Sequence, residues 1–109
     1  MAFTVLLTED ADDDLNDLYT FISQHDSPAK AEYVLQQIER KFTSLSEHPK
    51  RGVYPKELIA LGIRDYREIF FKPYRIIYRV DGENVYVYLV VDGRRDMQTL
   101  LQRRLLGAL

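Results

Sequence analysis

The chain has 109 residues, of which 46% are hydrophobic and 29% are charged, a composition typical of one globular domain with one core. It contains no cysteine, which excludes disulfide frameworks and thiolate metal sites. The net charge of −2 is unevenly distributed: residues 1–48 hold ten acids and three bases (−7), and residues 49–109 hold seven acids and twelve bases (+5). This asymmetry indicates a basic working face or, alternatively, an ordinary solvated surface.

The first eight residues predict the location of the protein and the start of its fold. They form a short apolar run that lacks both the basic start of a signal peptide and the length of a membrane span. We therefore expect a cytoplasmic protein with no membrane partner. Phe3 to Leu7 is too short for a helix and rich in β-formers, which predicts a first strand, and Thr8 is placed to cap the helix that follows.

Two amphipathic helices are predicted next. The first has an apolar face at steps of three and four residues, formed by Ala11, Leu15, Leu18 and Ile22. Five acids among residues 9–14 lie at the positive end of its dipole, and we interpret them as dipole partners, not as a metal site. Ser27 followed by Pro28 is typical of the cap and first turn of a second helix, which is expected to end before Pro49.

The second half of the chain changes to strand periodicity. Residues 49–65 are rich in proline and glycine and predict irregular structure with one helical turn at Glu57 to Leu61. Three β-rich runs then predict an antiparallel meander: Tyr66 to Lys72, Tyr74 to Val80 and Val85 to Val91. Met97, Leu100, Leu101 and Leu105 return to helical spacing and predict a short C-terminal helix.

This order of elements, β-α-α-β-β-β-α, predicts the fold class. It indicates a single α+β domain over residues 1–109, in which the helical hairpin packs on one face of a small antiparallel sheet. The other face is left to be covered or used by another element.

The residue inventory excludes several kinds of active site. Without cysteine, and with His25 and His48 as the only histidines, a cysteine nucleophile is impossible, and a serine triad or a two-histidine metal site is difficult to build. The glycines are isolated, so no glycine-rich phosphate loop is present. We expect neither a cofactor nor a metal.

Arginine and tyrosine alternate along the predicted strands. The pattern comprises Tyr66-Arg67, Tyr74-Arg75, Tyr78-Arg79, Tyr86, Tyr88 and Arg94-Arg95. Arginines on the more polar face could bind phosphates while tyrosines stack on unpaired bases, which favours contact with single-stranded nucleic acid. The alternative is structural, because tyrosine is a favoured sheet residue and arginine a common solvent-facing one.

A combination of motifs resembles the RelE/ParE family of bacterial toxins. It consists of the strand YRIIYRVD from Tyr74, the hydrophobic strand VYVYLVV from Val85, and the basic junction GRRD from Gly93. The acid-rich first helix, the second helix ending in SEHP and the segment GIRDYREI from Gly62 are also similar to family members. The resemblance therefore spans nearly the whole chain.

The resemblance implies one of two toxic mechanisms. RelE-like members cleave messenger RNA in the ribosomal A site, with sheet arginines and a C-terminal tyrosine or histidine, whereas ParE-like members poison DNA gyrase. Arg75 and Arg95 match the RelE-like arginines, and the strand tyrosines Tyr66, Tyr86 and Tyr88 are candidates for proton transfer, with Tyr88 the first choice. The expected C-terminal tyrosine falls near Leu101, however, and residues 97–109 contain no tyrosine, histidine, aspartate or glutamate. General acid–base help contributes ~10²–10⁴ in rate, so this ending favours the ParE-like branch.

The favoured hypothesis is a non-catalytic toxin whose basic residues bind gyrase. The candidate residues for target binding are Arg94, Arg95, Arg103 and Arg104. The alternative is a ribosome-dependent endoribonuclease that uses Arg75, Arg95 and Tyr88. A third possibility is an inactive toxin kept for autorepression of its own operon together with an antitoxin.

The resemblance also implies a cognate antitoxin as partner. Family antitoxins are partly disordered chains whose helix and strand cover the helical hairpin and a sheet edge of the toxin. The candidate anchors for such a partner are the aromatic residues Tyr19, Phe21, Tyr33 and Phe42, with burial in the core as the alternative.

Overall fold

The computed structural model describes residues 2–107, and its elements follow the predicted order with a short helix added. The elements are β1 (Thr4–Leu7), α1 (Glu9–His25), α2 (Pro28–Thr43), α3 (Lys56–Ile59), β2 (Arg67–Phe71), β3 (Tyr74–Asp81), β4 (Asn84–Asp92) and α4 (Met97–Leu105). The α+β class is confirmed, and α3 corresponds to the helical turn predicted at Glu57 to Leu61. No helix of residues 2–107 is both long enough and apolar enough to cross a bilayer.

Four strands form one sheet in the order β1-β4-β3-β2. β2, β3 and β4 pair antiparallel, as the meander requires. β1 instead pairs parallel with β4, from Thr4 opposite Asn84 to Leu7 opposite Val87, so the sheet is mixed and not purely antiparallel. The long connection through both helices allows this parallel return, whereas a tight turn permits only antiparallel pairing.

The helical hairpin begins where its capping residues predict. The hydroxyl of Thr8 accepts a hydrogen bond from the Ala11 amide at 3.1 Å, and the hydroxyl of Ser27 accepts one from the Lys30 amide at 3.0 Å. Both bonds satisfy amides that have no partner inside the helix. α2 ends at Thr43, several residues before Pro49, because the chain tightens there into a 3-10 turn over Ser44–Ser46 that buries Leu45.

Two apolar cores lie on opposite faces of the sheet, so the domain has three layers. The larger core lies under the hairpin and includes Ala31, Ile38, Ile76, Tyr78 and Val87. The smaller core lies under α3 and α4 and includes Leu58, Ile77, Leu89, Met97 and Leu101. The sequence assigned no covering element to the second face of the sheet, and in the structure α4 covers that face.

A bulge in β4 assigns its side chains to these two cores. The partner of Ile77 is Leu89, but the partner of Tyr78 is Val87, which leaves Tyr88 as an extra residue. Val87 consequently faces the hairpin core while Leu89 and Val91 face α4. A bulge of this kind re-aims side chains by changing the two-residue alternation, and the sequence pattern did not predict it.

Candidate functional site

The sheet arginine Arg75 is buried in a network of carboxylates. Its Nε donates to Oε1 of Glu68 at 2.7 Å, while Nη1 and Nη2 donate to the two oxygens of Glu57, each at 2.8 Å. Glu68 comes from the neighbouring strand β2, and α3 brings Glu57 over the same face. Only 8% of Arg75 is exposed. This arginine is therefore not presented to solvent as a free cation.

The electrostatics of this cluster follow from the shared guanidinium. The hydrogen bond from Arg75 lowers the pKa of Glu57, although burial opposes it. Burial raises the pKa of Glu68, despite its own hydrogen bond with Arg75. The carboxylate of Glu57 is the main cause that raises the pKa of Arg75, so the guanidinium stays charged. With both acids ionised the cluster carries −1, which disfavours the approach of a phosphate.

Gly93 gives the Arg75 side chain the room that it occupies. A Cβ atom at position 93 would lie 2.6 Å from Cδ and 2.9 Å from Cγ of Arg75. Such distances are far inside van der Waals contact. The glycine of the GRRD junction is therefore required by a side chain from a neighbouring strand, which sequence spacing did not indicate.

The basic junction after β4 contains one paired arginine and one free arginine. Nε of Arg94 donates a hydrogen bond to Oδ1 of Asp92 at 2.9 Å. Hydrogen bonding to Arg94 lowers the pKa of Asp92. Within residues 2–107 the exposed side chain of Arg95 makes no hydrogen bond or ion pair. Asp96 caps α4 by accepting from the Thr99 backbone amide at 3.3 Å, and its other carboxylate oxygen accepts from the Thr99 hydroxyl at 2.9 Å. Both bonds lower the pKa of Asp96.

The two arginines in the last turn of α4 have different surroundings. Arg103 is exposed to solvent. The side chain of Arg104 is only 19% exposed and contacts Asp14 of α1 and the backbone of Tyr88. The sequence grouped these neighbours as equivalent candidates for target binding, and the structure separates them.

The candidate strand tyrosine packs against another tyrosine. The rings of Tyr88 and Tyr66 meet edge to face with centroids 5.4 Å apart, next to the core under α4. Burial raises the pKa of Tyr66, so an even smaller fraction of this side chain is ionised and able to accept a proton near neutral pH. This pair therefore has a packing role that accounts for both rings.

Three of the four aromatic anchors predicted for an antitoxin lie on the surface. The exposed fractions are 38% for Tyr19, 58% for Phe21 and 51% for Tyr33. Phe42 is only 8% exposed and belongs to the hairpin core, because its position on α2 faces the sheet. The expectation that Phe42 is a surface anchor is therefore corrected.

A cavity of about 380 Å³ lies between α1 and the end of β4. Its lining includes the apolar residues Leu18, Phe21 and Val90 and the arginines Arg94 and Arg95. The structure thus brings together an aromatic residue predicted to bind one partner and two arginines predicted to bind another. Sequence reasoning missed this junction because the two segments are about 70 residues apart in the chain.

The chain is similar to known proteins over most of its length. Residues 5–97 match the family described as the ParE toxin of type II toxin-antitoxin system, parDE. Toxin ParE3 of Caulobacter vibrioides is 27% identical over 100 residues, which cover 92% of this chain and 96% of that protein.

Two solved structures are also similar to this domain. The chromosomal ParDE toxin–antitoxin system of P. aeruginosa superposes with a TM-score of 0.71 at 20% identity, covering 84% of this chain and 96% of that one. The toxin-antitoxin complex RelBE2 of Mycobacterium tuberculosis superposes with a TM-score of 0.55 at 26% identity, covering 84% and 92%.

Proposed function

The chain belongs to the ParE toxin family of type II toxin–antitoxin systems, and from that membership we propose that it arrests growth by inhibiting DNA gyrase until a cognate antitoxin neutralises it. The inhibition is non-catalytic: the toxin binds its target and breaks no bond. Three observations support the proposal: the pairing of Arg75 with two carboxylates, the lack of proton-transfer residues in the sequence of residues 97–109, and the exposed arginines around α4.

The observation that carries the choice of mechanism is the pairing of Arg75 with Glu57 and Glu68. A nuclease of the RelE type would need this arginine to hold a phosphate. Here the fork of the guanidinium is already occupied by the Glu57 carboxylate, with 2.8 Å between donor and acceptor at both nitrogens. A phosphate would have to displace that carboxylate and approach a second one at Glu68, which favours a function that does not use Arg75 as a ligand.

The supply of proton-transfer groups supports the same choice. Attack by a ribose 2′-hydroxyl needs a group that takes or gives a proton, and residues 97–109 contain no tyrosine, histidine, aspartate or glutamate. The raised pKa of Tyr66 makes that residue an unfavourable replacement as the base. Arginine remains charged and cannot substitute as the base.

The exposed arginines around α4 are the proposed contacts with gyrase. Arg95, just before α4, and Arg103, in its last turn, are both exposed, and Arg94 is exposed next to Arg95. Guanidinium groups form forked hydrogen bonds with carboxylates and phosphates, so this surface suits a complex of gyrase with DNA.

The antitoxin is proposed to neutralise the toxin by covering the same junction. Phe21 lines the 380 Å³ cavity together with Arg94 and Arg95. A partner anchored on Phe21 would therefore shield both arginines from gyrase. Because the two binding events overlap in space, they exclude each other without any change in the fold.

The first experiment is a gyrase supercoiling assay with purified toxin. We expect wild-type toxin to inhibit supercoiling, and the Arg95→Ala variant to need roughly 10-fold more protein, as expected for the loss of a contact of about 1.4 kcal/mol. The matched control is Arg64→Ala, which removes an exposed arginine from the loop before β2. Supercoiling that continues unchanged at a large excess of toxin contradicts gyrase as the target.

Messenger-RNA cleavage on the ribosome is the second candidate, favoured by the 26% identity to the RelBE2 complex. Its test is a translation reaction in which cleavage sites are mapped by primer extension. Cuts that appear with wild-type toxin and disappear in Arg75→Ala would establish the nuclease. We expect the message to remain intact.

A further inference from the structure

The edge of β4 is open along its second half. β1 pairs with β4 only from Asn84 to Val87, and the last bond of this ladder runs from the Thr8 amide to the Val87 carbonyl at 3.0 Å. Beyond that point the chain leaves the sheet to begin α1. The backbone of β4 from Tyr88 to Asp92 therefore has no neighbouring strand on this side within residues 2–107. Unpaired backbone groups at a partly buried edge cost free energy.

Two side chains take the place of the missing strand. Oδ2 of Asp14 accepts a hydrogen bond from the Val90 amide at 3.0 Å. Nη2 of Arg104 donates to the Tyr88 carbonyl at 3.1 Å. Asp14 and Arg104 thus satisfy one donor and one acceptor of the same open edge.

The same two side chains bind each other. Nη1 of Arg104 donates to Oδ1 of Asp14 at 3.2 Å, and Nη2 donates to Oδ2 at 3.0 Å. The exposed fractions are 19% for the Arg104 side chain and 13% for the Asp14 side chain. Charged hydrogen bonds of this forked geometry are stronger and more directional than neutral ones, and partial burial reduces their screening.

The pair connects the two outer layers of the domain. α1 packs on the hairpin face of the sheet, whereas α4 packs on the opposite face through Met97, Leu100 and Leu101. Arg104 reaches around the open edge of β4 from one layer to the other. We call the Asp14–Arg104 pair and its two bonds to β4 the edge clamp.

We propose that Asp14 is a positioning residue, which holds the last turn of α4 through Arg104 and thereby presents the neighbouring Arg103 to the target. Arg104 then acts inside the fold and does not contact the target. The part that concerns Arg103 rests on the proposed inhibition of gyrase, whereas the clamp itself does not.

The length of α4 explains why a clamp is needed. A helix of nine residues is not stable in isolation, so it must be held by tertiary contacts. Its three fully buried residues lie in the first five positions, from Met97 to Leu101. The last turn has Leu105 as its partly buried apolar contact. The edge clamp supplies the polar contact that keeps Arg103 in a fixed place.

Amide hydrogen exchange on the full chain tests the clamp directly. We expect Asp14→Ala and Arg104→Ala each to accelerate exchange in the last turn of α4 by about 10- to 100-fold, while core amides in β3 keep their rates. The double variant should accelerate exchange by less than the product of the two single effects, because both remove one interaction. The matched controls are Asp13→Ala and Arg103→Ala, which remove exposed neighbours of the two residues. Equal rates in Asp14→Ala and Asp13→Ala, or fully multiplicative effects, would overturn the clamp.

The gyrase assay separates positioning from contact. Asp14→Ala and Arg104→Ala should raise the half-inhibitory toxin concentration by a similar factor, and Arg104→Lys should recover part of the loss. Arg103→Ala should also raise this concentration but leave the exchange of α4 unchanged. Normal inhibition by Arg103→Ala would overturn its presentation by the clamp. If wild-type toxin leaves gyrase untouched, the proposed target is wrong, and the exchange rates still decide the clamp.

Discussion

At the scale of single residues, the exposure and pairing of each arginine depend on neighbours that are distant in the chain. Arg75 and Arg95 look alike in the sequence, yet Arg75 is enclosed by two carboxylates and Arg95 is exposed. The enclosure involves Glu57, 18 residues before Arg75, and Glu68, seven residues before it. Local spacing predicts which face of a strand a side chain occupies, but it does not predict which charges meet it there.

The packing of Gly93 against Arg75 leads to a stability prediction. Gly93→Ala should destabilise the toxin by ~1–3 kcal/mol, because the new Cβ would overlap the Arg75 side chain. The measurement is urea unfolding followed by circular dichroism. The control is the same substitution in an Arg75→Ala background, where the cost should be smaller and only the 3.1 Å contact with the Pro73 carbonyl oxygen remains. An equal cost in both backgrounds would show that Arg75 is not the obstacle.

The two acids that bind Arg75 should give opposite pH dependences of stability. The pKa of Glu57 is lowered from its ordinary 4.5, so its stabilising contribution is complete above pH 4.5 and is lost as the pH falls through the lowered value. The pKa of Glu68 is raised from 4.5, so its contribution is complete below pH 4.5 and is lost as the pH rises through the raised value.

The measurement is the free energy of unfolding as a function of pH, from below to above pH 4.5. It is made for Glu57→Gln and for Glu68→Gln, and each variant is compared with the wild type. The stability advantage of the wild type over Glu57→Gln should grow as the pH increases from below 4.5. Its advantage over Glu68→Gln should shrink over the same interval. Slopes of the same sign for both variants would contradict the assignment of the two shifts.

At the scale of elements, capping residues and apolar periodicity specify the helices, whereas pairing over long range specifies the sheet. Thr8, Ser27 and Asp96 each accept a hydrogen bond from the backbone at the start of a helix. These bonds are local, and the first two caps were predicted from the sequence. The parallel pairing of β1 and the bulge at Tyr88 depend instead on contacts between distant segments.

Removal of the cap at Ser27 tests the local contribution to the hairpin. Ser27→Ala should lower the free energy of unfolding by ~1 kcal/mol, because the Lys30 amide loses its acceptor. Thr43→Ala is the control, since Thr43 is an exposed residue at the other end of α2 and alanine favours helix. Both values come from chemical unfolding. A Ser27→Ala variant as stable as Thr43→Ala would mean that the cap contributes little.

At the scale of the whole molecule, the fold places two candidate binding surfaces side by side. The acidic first half supplies Phe21 on α1, and the basic second half supplies Arg94 and Arg95 after β4. The same cavity is also lined by Asp14 and Asp17 from the acidic half, so acidic and basic residues lie together around it. This overlap is the physical basis of the proposed mutual exclusion between antitoxin and target.

A pair of aromatic substitutions distinguishes surface from core. Phe21→Ala should weaken antitoxin binding by ~10-fold or more, as expected for an exposed aromatic anchor, and leave the stability of the toxin nearly unchanged. Phe42→Ala should instead destabilise the toxin by ~3–5 kcal/mol, because it opens a cavity in the core. Binding is measured by calorimetry and stability by urea unfolding. A Phe21→Ala variant that binds antitoxin normally would remove this residue from the proposed interface.

The sequence by itself determined the fold class, the strand and helix order and the family, because these depend on periodicity, capping and motifs that are local in the chain. It also named four arginines as candidates for target binding and four aromatic residues as candidate anchors, but it did not say which of them are exposed. It misplaced Phe42, because an apolar residue on a helix is compatible with either the core or a surface patch.

The tertiary structure decided which of the predicted site residues are exposed and able to contact a partner. It enclosed Arg75 between Glu57 and Glu68, turned Arg104 inward onto Asp14, and joined Phe21 with Arg95 at one cavity. Each of these outcomes depends on side chains from different layers or distant segments that meet only after the sheet has formed. The strength of an ionic interaction depends on distance and burial, and neither quantity is specified until the fold is complete.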